Sequence, residues 1–145
     1  MKWKITIDKT KKEPELEILT PTITEEVRAI EEFIQNNIEG QLLVSKGDQV
    51  KAISFFQIVR VYSLDKRTIV EDELQKYYSN LSLTQLENIL PANFTRISRS
   101  EFINLDFVDH LDLSFKGTVQ VNLTTGDTTY LSRRRISEFK KKIGL

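Results

Sequence analysis

Three short stretches of this chain concentrate cationic and small polar side chains. They are Lys66-Arg67-Thr68, the run from Arg96 to Ser100, and Ser132-Arg133-Arg134-Arg135. Each falls in a predicted turn or at the end of a predicted element, where side chains project from a scaffold and do not fill its core. Arginine forks and lysine ammonium groups bind phosphate, and arginine also matches base edges. The stretches therefore predict a phosphate-binding surface on which one or more arginines read bases.

The third stretch carries the strongest signal. Ser132 is a good N-cap for a final helix predicted from Ser132 to about Ile143, which places three arginines in its first turn. Cations are disfavoured there because the helix dipole is positive at that end. A bound phosphate resolves the conflict, since free N–H groups and guanidinium both favour an anion. The alternative is a solvated helix start with salt bridges to nearby carboxylates.

The remaining polar residues have either a structural or a ligand-binding interpretation. Ser98 and Ser100 either stabilise a turn or contact the ligand, and Asn104 shares that ambiguity. Phe94 and Ile97 are predicted to be buried, which leaves Arg96, Ser98 and Arg99 at the surface. The run Lys140-Lys141-Lys142 is better explained as solvated cations that complement a helix C-terminus.

Catalytic chemistry is poorly represented. The chain has no cysteine and a single histidine, His110, which lies in a predicted strand and is read as a strand-edge residue. No phosphate loop, nucleophile elbow or His/Cys metal cluster is present in the sequence. We therefore expect no enzyme activity, metal, cofactor or small-molecule substrate.

Composition indicates one globular unit. Hydrophobic residues make up 39% and charged residues 29% of 145, and the net charge is zero. The charge is unevenly distributed: residues 1–45 hold 6 Lys+Arg against 9 Asp+Glu, and residues 91–145 hold 9 against 6. No apolar run approaches the roughly 20 residues of a membrane span, so the sequence predicts a cytoplasmic, soluble protein.

The first 40 residues predict a small ββα extension. Trp3, Ile5 and Ile7 alternate with polar residues, and a second short strand is predicted at Leu16–Leu19. Thr22 and Glu25 form a capping-box pattern before a helix. Its apolar stripe comprises Ile23, Val27, Ile30, Ile34 and Ile38. The extension is predicted to end near Asn36-Asn37 and Gly40 and to pack on the rest of the chain or pair two subunits.

Beyond Gly40 the pattern predicts antiparallel strands. Hairpins are expected around Lys46-Gly47-Asp48 and around Leu64-Asp65-Lys66-Arg67, and a shorter strand at Tyr77-Tyr78. Ser82 and Gln85 predict a capped internal helix, and two later strands are expected at 111–115 and 118–123. The predicted class is mainly β (α+β), with several small antiparallel sheets, an embedded helix and a C-terminal helix.

Several ordered motifs resemble the LytTR family of DNA-binding domains. The run from Leu90 to Leu105, LPANFTRISRSEFINL, is similar to the family pattern LP-x-x-F-x-RI-x-(R/K)-S-x-x-(V/I)-N-L. Ser82–Glu87 resembles its SL-x-x-LE helix, and Gly126 followed by Leu131–Arg135 resembles its C-terminal ending. The resemblance covers about residues 41–145.

The resemblance implies function and contact residues. Loops and the start of the last helix are implied to enter successive major grooves of bent double-stranded DNA. Arg99 and Arg134 occupy family contact positions, and Lys66 or Arg67 the loop position. The predicted DNA-binding set is Lys66, Arg67, Thr68, Ser98, Arg99, Ser132, Arg133, Arg134 and Arg135. Two departures, Ser98 in place of histidine and Tyr62 in place of an acidic residue, leave base preference there open.

The resemblance also implies partners. Residues 1–40 are too few for a receiver domain, so the chain is similar to short members with an N-terminal extension, which are often restrained by a small membrane protein. We expect a transcriptional regulator that binds direct-repeat promoter sites as a homodimer. The alternative is a protein-interaction module whose basic surface pairs with acidic partners and does not bind DNA.

Overall fold

The computed structural model describes residues 1–34, 40–113 and 117–144. Within these ranges the helices are α1 Glu25–Ile34, α2 Leu83–Glu87 and α3 Ile136–Lys142. The strands are β1 Gln41–Lys46, β2 Gln49–Ser54, β3 Arg60–Leu64, β4 Arg67–Glu71, β5 Lys76–Ser79, β6 Phe94–Ser98, β7 Glu101–Asn104, β8 Val108–Asp112, β9 Val119–Leu123 and β10 Thr128–Leu131. Short 3₁₀ turns cover Phe55–Gln57, Leu105–Phe107 and Arg133–Arg135.

The strands form two antiparallel sheets. The larger has the order β2-β1-β5-β4-β3-β7-β6, and the smaller has the order β10-β9-β8. The β1–β2 hairpin joins the larger sheet through a single residue pair, Ser45 with Tyr78. The fold is thus mainly antiparallel β with a few short helices, as the sequence predicts.

Two hydrophobic clusters stabilise the sheets. One lies between the larger sheet and α2 and includes Val61, Val70 and Leu86. The other joins β6 and β7 to the smaller sheet and α3 through Ile97, Ile103, Val121 and Phe139. β7 contributes Phe102 to the first cluster and its neighbour Ile103 to the second, so this strand is buried on both faces.

The turn and capping predictions in the centre of the chain are confirmed. β1 pairs with β2 from Gln41–Ser54 to Lys46–Gln49, and β3 pairs with β4 from Arg60–Glu71 to Leu64–Arg67. The capping box at α2 forms as predicted: the Ser82 hydroxyl accepts from the Gln85 N–H, and the Gln85 side chain accepts from the Ser82 N–H. Local turn and cap chemistry is enough to place these elements.

The two predicted N-terminal strands do not form within the single chain. No strand forms in residues 1–24, and Trp3, Ile5 and Ile7 are more than 80% exposed. A strand needs a partner for its backbone groups, and the described chain supplies none here. The helix start is also shifted: Thr24, not Thr22, accepts a hydrogen bond from the Val27 N–H at 3.3 Å. Ile38 and the predicted boundary at Asn36-Asn37 lie outside the described residues.

Two C-terminal predictions need correction. The last helix is shorter than predicted, because Arg133–Arg135 form a 3₁₀ turn and Ser132 makes no side-chain cap. The strand predicted at 111–115 lies earlier, at Val108–Asp112, where it pairs with β9. Leu113 lies outside this strand, and residues 114–116 lie outside the described part of the chain. Pairing with β9, which alternation alone does not reveal, fixes these bounds.

Candidate nucleic-acid interface

The β3–β4 turn presents Lys66 at its apex. Asp65 and Lys66 have φ values of 52° and 61°, so both central residues of this two-residue loop are left-handed. Such turns match the twist of a hairpin but normally use glycine or asparagine. A lysine in this conformation is strained, and its side chain is exposed.

Arg67 and Thr68 follow that turn with different environments. The Arg67 guanidinium lies 3.4 Å from the centre of the Tyr78 ring, which fixes its position while leaving the residue exposed. Thr68 is only 9% exposed within β4. Of the predicted loop residues, Lys66 and Arg67 therefore offer the larger surface.

The β6–β7 turn holds Arg99 outward. Arg96 donates to the carbonyl oxygen of Arg99 at 2.6 Å and to that of Ser98 at 3.2 Å, which fixes the turn from inside. The Ser98 hydroxyl accepts from the Ser100 N–H at 3.2 Å, so the turn-stabilising reading of Ser98 applies. Within the described residues the Arg99 guanidinium has no ion-pair partner, and Arg99 is exposed.

The two turns line one cleft of about 780 Å³. Its cationic residues are Lys66, Arg67, Arg96 and Arg99, and no Asp or Glu lies among its lining residues. The chain as a whole is neutral, so this cleft is a local concentration of positive charge. It also contains neutral donors and acceptors that the sequence reading missed, namely Ser79, Asn80 and Gln85. Ser79 ends β5, Asn80 follows it, and Gln85 lies in α2. The pairing of β5 with β4 brings this part of the chain to the cationic turns.

The arginine run near the C-terminus does not line that cleft. Arg133 and Arg134 are exposed, and Arg135 is partly buried, with its guanidinium 3.5 Å from the Glu138 carboxylate. The salt-bridge alternative thus applies to Arg135. Arg133 lies against Gly117, where an added Cβ would be 3.0 Å from its Nη2. Within the described residues, Arg134 has no ion-pair partner.

Strand β6 links the arginine run to the β6–β7 turn. The Ser132 N–H donates to the Ile97 carbonyl at 2.8 Å, which is one residue before Ser98. A second link joins the strands that lead to both sites: the Thr129 hydroxyl donates to the Glu101 carboxylate at 3.0 Å. The structure therefore has two groups of cations, one in the cleft and one in the arginine run. Hydrogen bonds to β6 and β7 join the segments that carry them.

A buried ionic network lies beneath this link. Arg60 donates to Glu71 at 2.8 Å, and its Nη1 is 3.7 Å from Glu101. Burial raises the pKa of Glu101 above its ordinary value, and the nearby Arg60 charge and the Thr129 hydrogen bond oppose that rise. Burial, with a hydrogen bond to Glu71, raises the pKa of Tyr62 to about 12. These groups hold β3, β4, β7 and β10 together.

Three other polar residues have structural contacts. Asn104 is fully buried and donates to the Ile58 carbonyl at 2.9 Å, while its Oδ1 accepts from the Asp106 N–H. Lys142 donates to the Phe94 carbonyl, so it is not simply solvated as predicted, and burial lowers its pKa. His110 lies on the edge strand of the smaller sheet, 2.6 Å from Asp109.

Metal-ligand clusters and membrane-spanning helices are both missing from the described residues. No group of three or more His, Cys, Asp or Glu residues in this part of the chain could hold a metal ion. Across the same residues, no helix has both the length and the apolar character that crossing a bilayer requires.

Comparisons with known proteins agree with the geometry. The family model of the LytTr DNA-binding domain matches residues 48–144. A solved LytTr DNA-binding domain from Bacillus cereus superimposes with a TM-score of 0.69 at 23% identity, covering 72% of this chain and 97% of that one. That likeness shows the fold.

Full-length relatives give a second line of comparison. Uncharacterised HTH-type transcriptional regulators from Staphylococcus aureus strains NCTC 8325 and MSSA476 are each 26% identical over 146 residues, covering 100% of this chain and 99% of theirs. Within the described residues here, no two consecutive α-helices are joined by a short turn. The cations of this chain are therefore presented by β-turns and a 3₁₀ turn, not by a helix-turn-helix pair.

Proposed function

Since this chain belongs to the LytTr DNA-binding domain family, we propose that it is a sequence-specific transcriptional regulator that binds direct-repeat promoter sites as a homodimer. In this proposal the contacts come from the β3–β4 turn, the β6–β7 turn and the arginine run. Their residues are Lys66, Arg67, Thr68, Ser98, Arg99, Ser132, Arg133, Arg134 and Arg135. The protein acts in the cytoplasm.

The observation that carries this proposal is the acid-free cationic cleft on a neutral chain. Four cations and no carboxylate line it. Arg96 pairs with Glu87 outside the lining at 3.4 Å, which leaves Lys66, Arg67 and Arg99 without a carboxylate partner in the described residues. Neutral side chains beside them can accept or donate hydrogen bonds at base edges. Arg99 projects from a turn whose carbonyls are already bound by Arg96. Because the turn is fixed in the free protein, little ordering is required when its arginine meets DNA.

The contacts divide into positioning and reading groups. Phosphate contacts fix register without carrying sequence information, whereas base contacts discriminate. Arg99 and Arg134 are exposed and unpaired in the described residues, so we assign them to base reading. Lys66, at the apex of a hairpin that lines the cleft, is assigned to phosphate or base contact. Thr68 and Ser98 support the turns and contribute at most at their edges.

The test is binding to the chain's own upstream region and to a random duplex across a salt series. With several phosphate contacts, the logarithm of the binding constant should fall with log salt at a slope of about −0.9 per phosphate. A specific regulator keeps a gap of about 10³-fold or more between the two duplexes. Equal affinity for both at every salt concentration rejects a specific regulator. Absence of DNA binding favours the alternative, a module that pairs with acidic protein partners.

Matched variants separate reading from general charge. Arg99→Ala should reduce the specific-to-random ratio, whereas Lys140→Ala should leave that ratio unchanged, because Lys140 is an exposed cation on the last helix outside the cleft. Loss of selectivity in Lys140→Ala, with Arg99→Ala retaining it, would contradict the assignment.

A small membrane protein that restrains the regulator is also proposed, on family resemblance alone. Affinity purification of the tagged chain from detergent-solubilised cells should recover one small membrane protein in amounts comparable with the bait. Recovery of none at endogenous expression rejects this partner.

A further inference from the structure

The first 23 residues expose an unusual number of large apolar side chains. Trp3, Ile5 and Ile7 are 81%, 83% and 85% exposed. Leu16, Leu19 and Ile23 are exposed as well, and both hydrophobic clusters consist of residues from Leu42 onward. Single exposed apolar side chains are ordinary on a monomer, but six of them lie within residues 3–23 of one segment. The segment therefore calls for a partner surface.

The segment from Lys2 to Asp8 has the pattern of a strand without a strand's partner. Its apolar and polar residues alternate, yet none of residues 1–24 is in a strand. The chain turns just after it, where Asp8 accepts from the N–H of Thr10 at 2.9 Å and its carbonyl accepts from the Lys11 N–H at 3.2 Å. The following apolar segment does not pair with it, and Pro14 removes one backbone donor on that side.

We propose that Lys2–Asp8 pairs with the same segment of a second copy of this chain, as an antiparallel strand pair centred on Ile5. In this register Ile5 lies opposite Ile5, Trp3 opposite Ile7, and Lys2 opposite Asp8 of the second copy. Every apolar residue then faces an apolar one, and two opposite-charge pairs form by symmetry. The pairing gives the homodimer of the proposed function its contact surface and rests on that part of it, but it requires no DNA.

The charges select this arrangement over a parallel one. Parallel pairing in register would place Lys2 beside Lys2 and Asp8 beside Asp8 of the other copy, and like charges directly opposite are unfavourable. A shift by one residue would put apolar side chains opposite polar ones on the wrong face. The antiparallel register centred on Ile5 avoids both problems.

Helix α1 supplies a cover for the apolar face of the strand pair. Val27, Ile30 and Ile34 form one stripe of this helix and are only partly buried. A two-stranded ribbon is marginal in water unless an apolar layer packs against it. The two helices of a dimer provide that layer, so each copy contributes one strand and one helix to a shared core.

Cross-linking tests the register, because the chain has no natural cysteine. Directly opposite residues of an antiparallel pair have Cα atoms about 4.5–5.5 Å apart, within disulfide range. Full-length Ile5→Cys should form a disulfide-linked dimer under mild oxidation, at least tenfold faster than Leu43→Cys, which is exposed on β1. Trp3→Cys and Ile7→Cys should each cross-link slowly alone and rapidly when mixed. Rapid self-linking of Trp3→Cys and Ile7→Cys, or no advantage for Ile5→Cys, overturns the proposal.

Sedimentation equilibrium without DNA tests the association itself. Wild-type chain should have a dimer mass at micromolar concentration, and Ile5→Glu should weaken dimerisation at least tenfold because two carboxylates meet at the axis. Leu43→Glu, the control for an exposed apolar residue elsewhere, should remain dimeric. A monomeric wild type, or Ile5→Glu with unchanged mass, overturns the pairing. Because DNA is absent, either result leaves the proposed promoter binding to be judged by its own test.

Discussion

In the proposed interface the surroundings of each side chain decide its role, and neighbouring residues of the arginine run differ in theirs. Arg135 pairs with Glu138, Arg133 lies against Gly117, and Arg134 is exposed. All three precede a helix N-terminus, where positive charge is unfavourable. Within the described residues neither Arg133 nor Arg134 has a carboxylate partner, but the Arg133 guanidinium packs against Gly117. Arg134 is therefore the strongest candidate for base recognition.

Arg134→Ala should leave the fold intact, with stability unchanged or raised by a few tenths of a kcal/mol, since dipole repulsion is removed. Specific DNA binding should weaken by about 1–3 kcal/mol with relaxed preference at one position per half-site. Arg134→Lys keeps charge but loses the planar fork, so it should restore only non-specific affinity. Denaturant unfolding and binding to a library of single-base variants check both. An unfolded Arg134→Ala, or full selectivity in Arg134→Lys, would contradict the reading role.

Replacing Lys66 with glycine should raise the stability of the protein and weaken its DNA binding. A non-glycine residue at φ 61° carries a steric cost of about 1–2 kcal/mol that glycine avoids. Lys66→Gly should therefore raise the free energy of unfolding by up to about 1 kcal/mol, since glycine's added unfolded-state entropy offsets part of the gain. It should weaken DNA binding because the cation is lost. Asp65→Gly is the control, which should stabilise the same turn without reducing binding. Unchanged affinity in Lys66→Gly would remove Lys66 from the interface.

Residue types alone located the cationic turns but not their surroundings. Lys66, Arg67, Arg99 and the arginine run were found from charge in predicted turns, and the structure places each at or near the surface. The burial of Thr68 depends on strand pairing, and Asn80 reaches the cleft through β5. Such long-range contacts have no local signature in a single sequence.

At the scale of elements, the two sheets must keep a fixed separation if both groups of cations are to meet one duplex. The Glu101–Thr129 hydrogen bond joins β7 of the larger sheet to β10 of the smaller one. Glu101 directly follows the β6–β7 turn, and Thr129 lies three residues before Ser132. This contact therefore couples the two presenting segments.

Thr129→Val should cost about 1–2 kcal/mol of stability, because the buried Glu101 carboxylate loses a donor. The cost should depend on pH. Folding raises the pKa of Glu101 through burial, and the Thr129 hydrogen bond opposes that rise, so its loss raises the folded-state pKa further. When a carboxyl group has a higher pKa in the folded than in the unfolded protein, the free energy of unfolding falls as the pH rises through the folded-state pKa. The deficit of Thr129→Val should thus be larger at pH 7 than at pH 4.

Denaturant unfolding at both pH values checks this, with Thr128→Val as the control. Thr128 is on the same strand but exposed, and it donates to Asn122 at 3.3 Å. An equal deficit at pH 4 and pH 7 would mean that Glu101 is not coupled to Thr129.

Element predictions succeeded where local chemistry sufficed. The β3–β4 hairpin and the α2 capping box follow from short patterns. The strands expected at Trp3–Ile7 and Leu16–Leu19 do not form, because alternation reports only that a segment fits a half-buried sheet. Whether it pairs depends on a partner, which in our proposal is another molecule.

The whole molecule combines an acidic, apolar extension with a basic C-terminal part. Residues 1–45 carry net charge −3 and residues 91–145 carry +3. The negative charge of the extension lies from Glu13 onward, since residues 1–12 hold five lysines and one aspartate. Neither hydrophobic cluster includes a residue before Leu42. Packing in these clusters therefore does not fix the direction in which the extension leaves the sheets. A two-fold dimer of extensions can then serve two half-sites arranged as a direct repeat.

Removal of the extension should leave the affinity for one half-site unchanged and reduce the additional affinity for a duplex with two half-sites. We expect a chain from Gln41 to Leu145 to stay folded, because both hydrophobic clusters lie within it, and to bind a single half-site as the full chain does. Linking two binding modules raises apparent affinity by about 10²–10⁴. The chain with its extension should show such a gain on a two-site duplex over a one-site duplex, and the shortened chain should lose most of it.

Ile5→Glu in the chain with its extension is the matched control, since it keeps the length of the chain but breaks the proposed axis. A shortened chain that retains the two-site gain would show that the β domains associate on DNA by their own contacts, and the extension would then have no part in promoter occupancy.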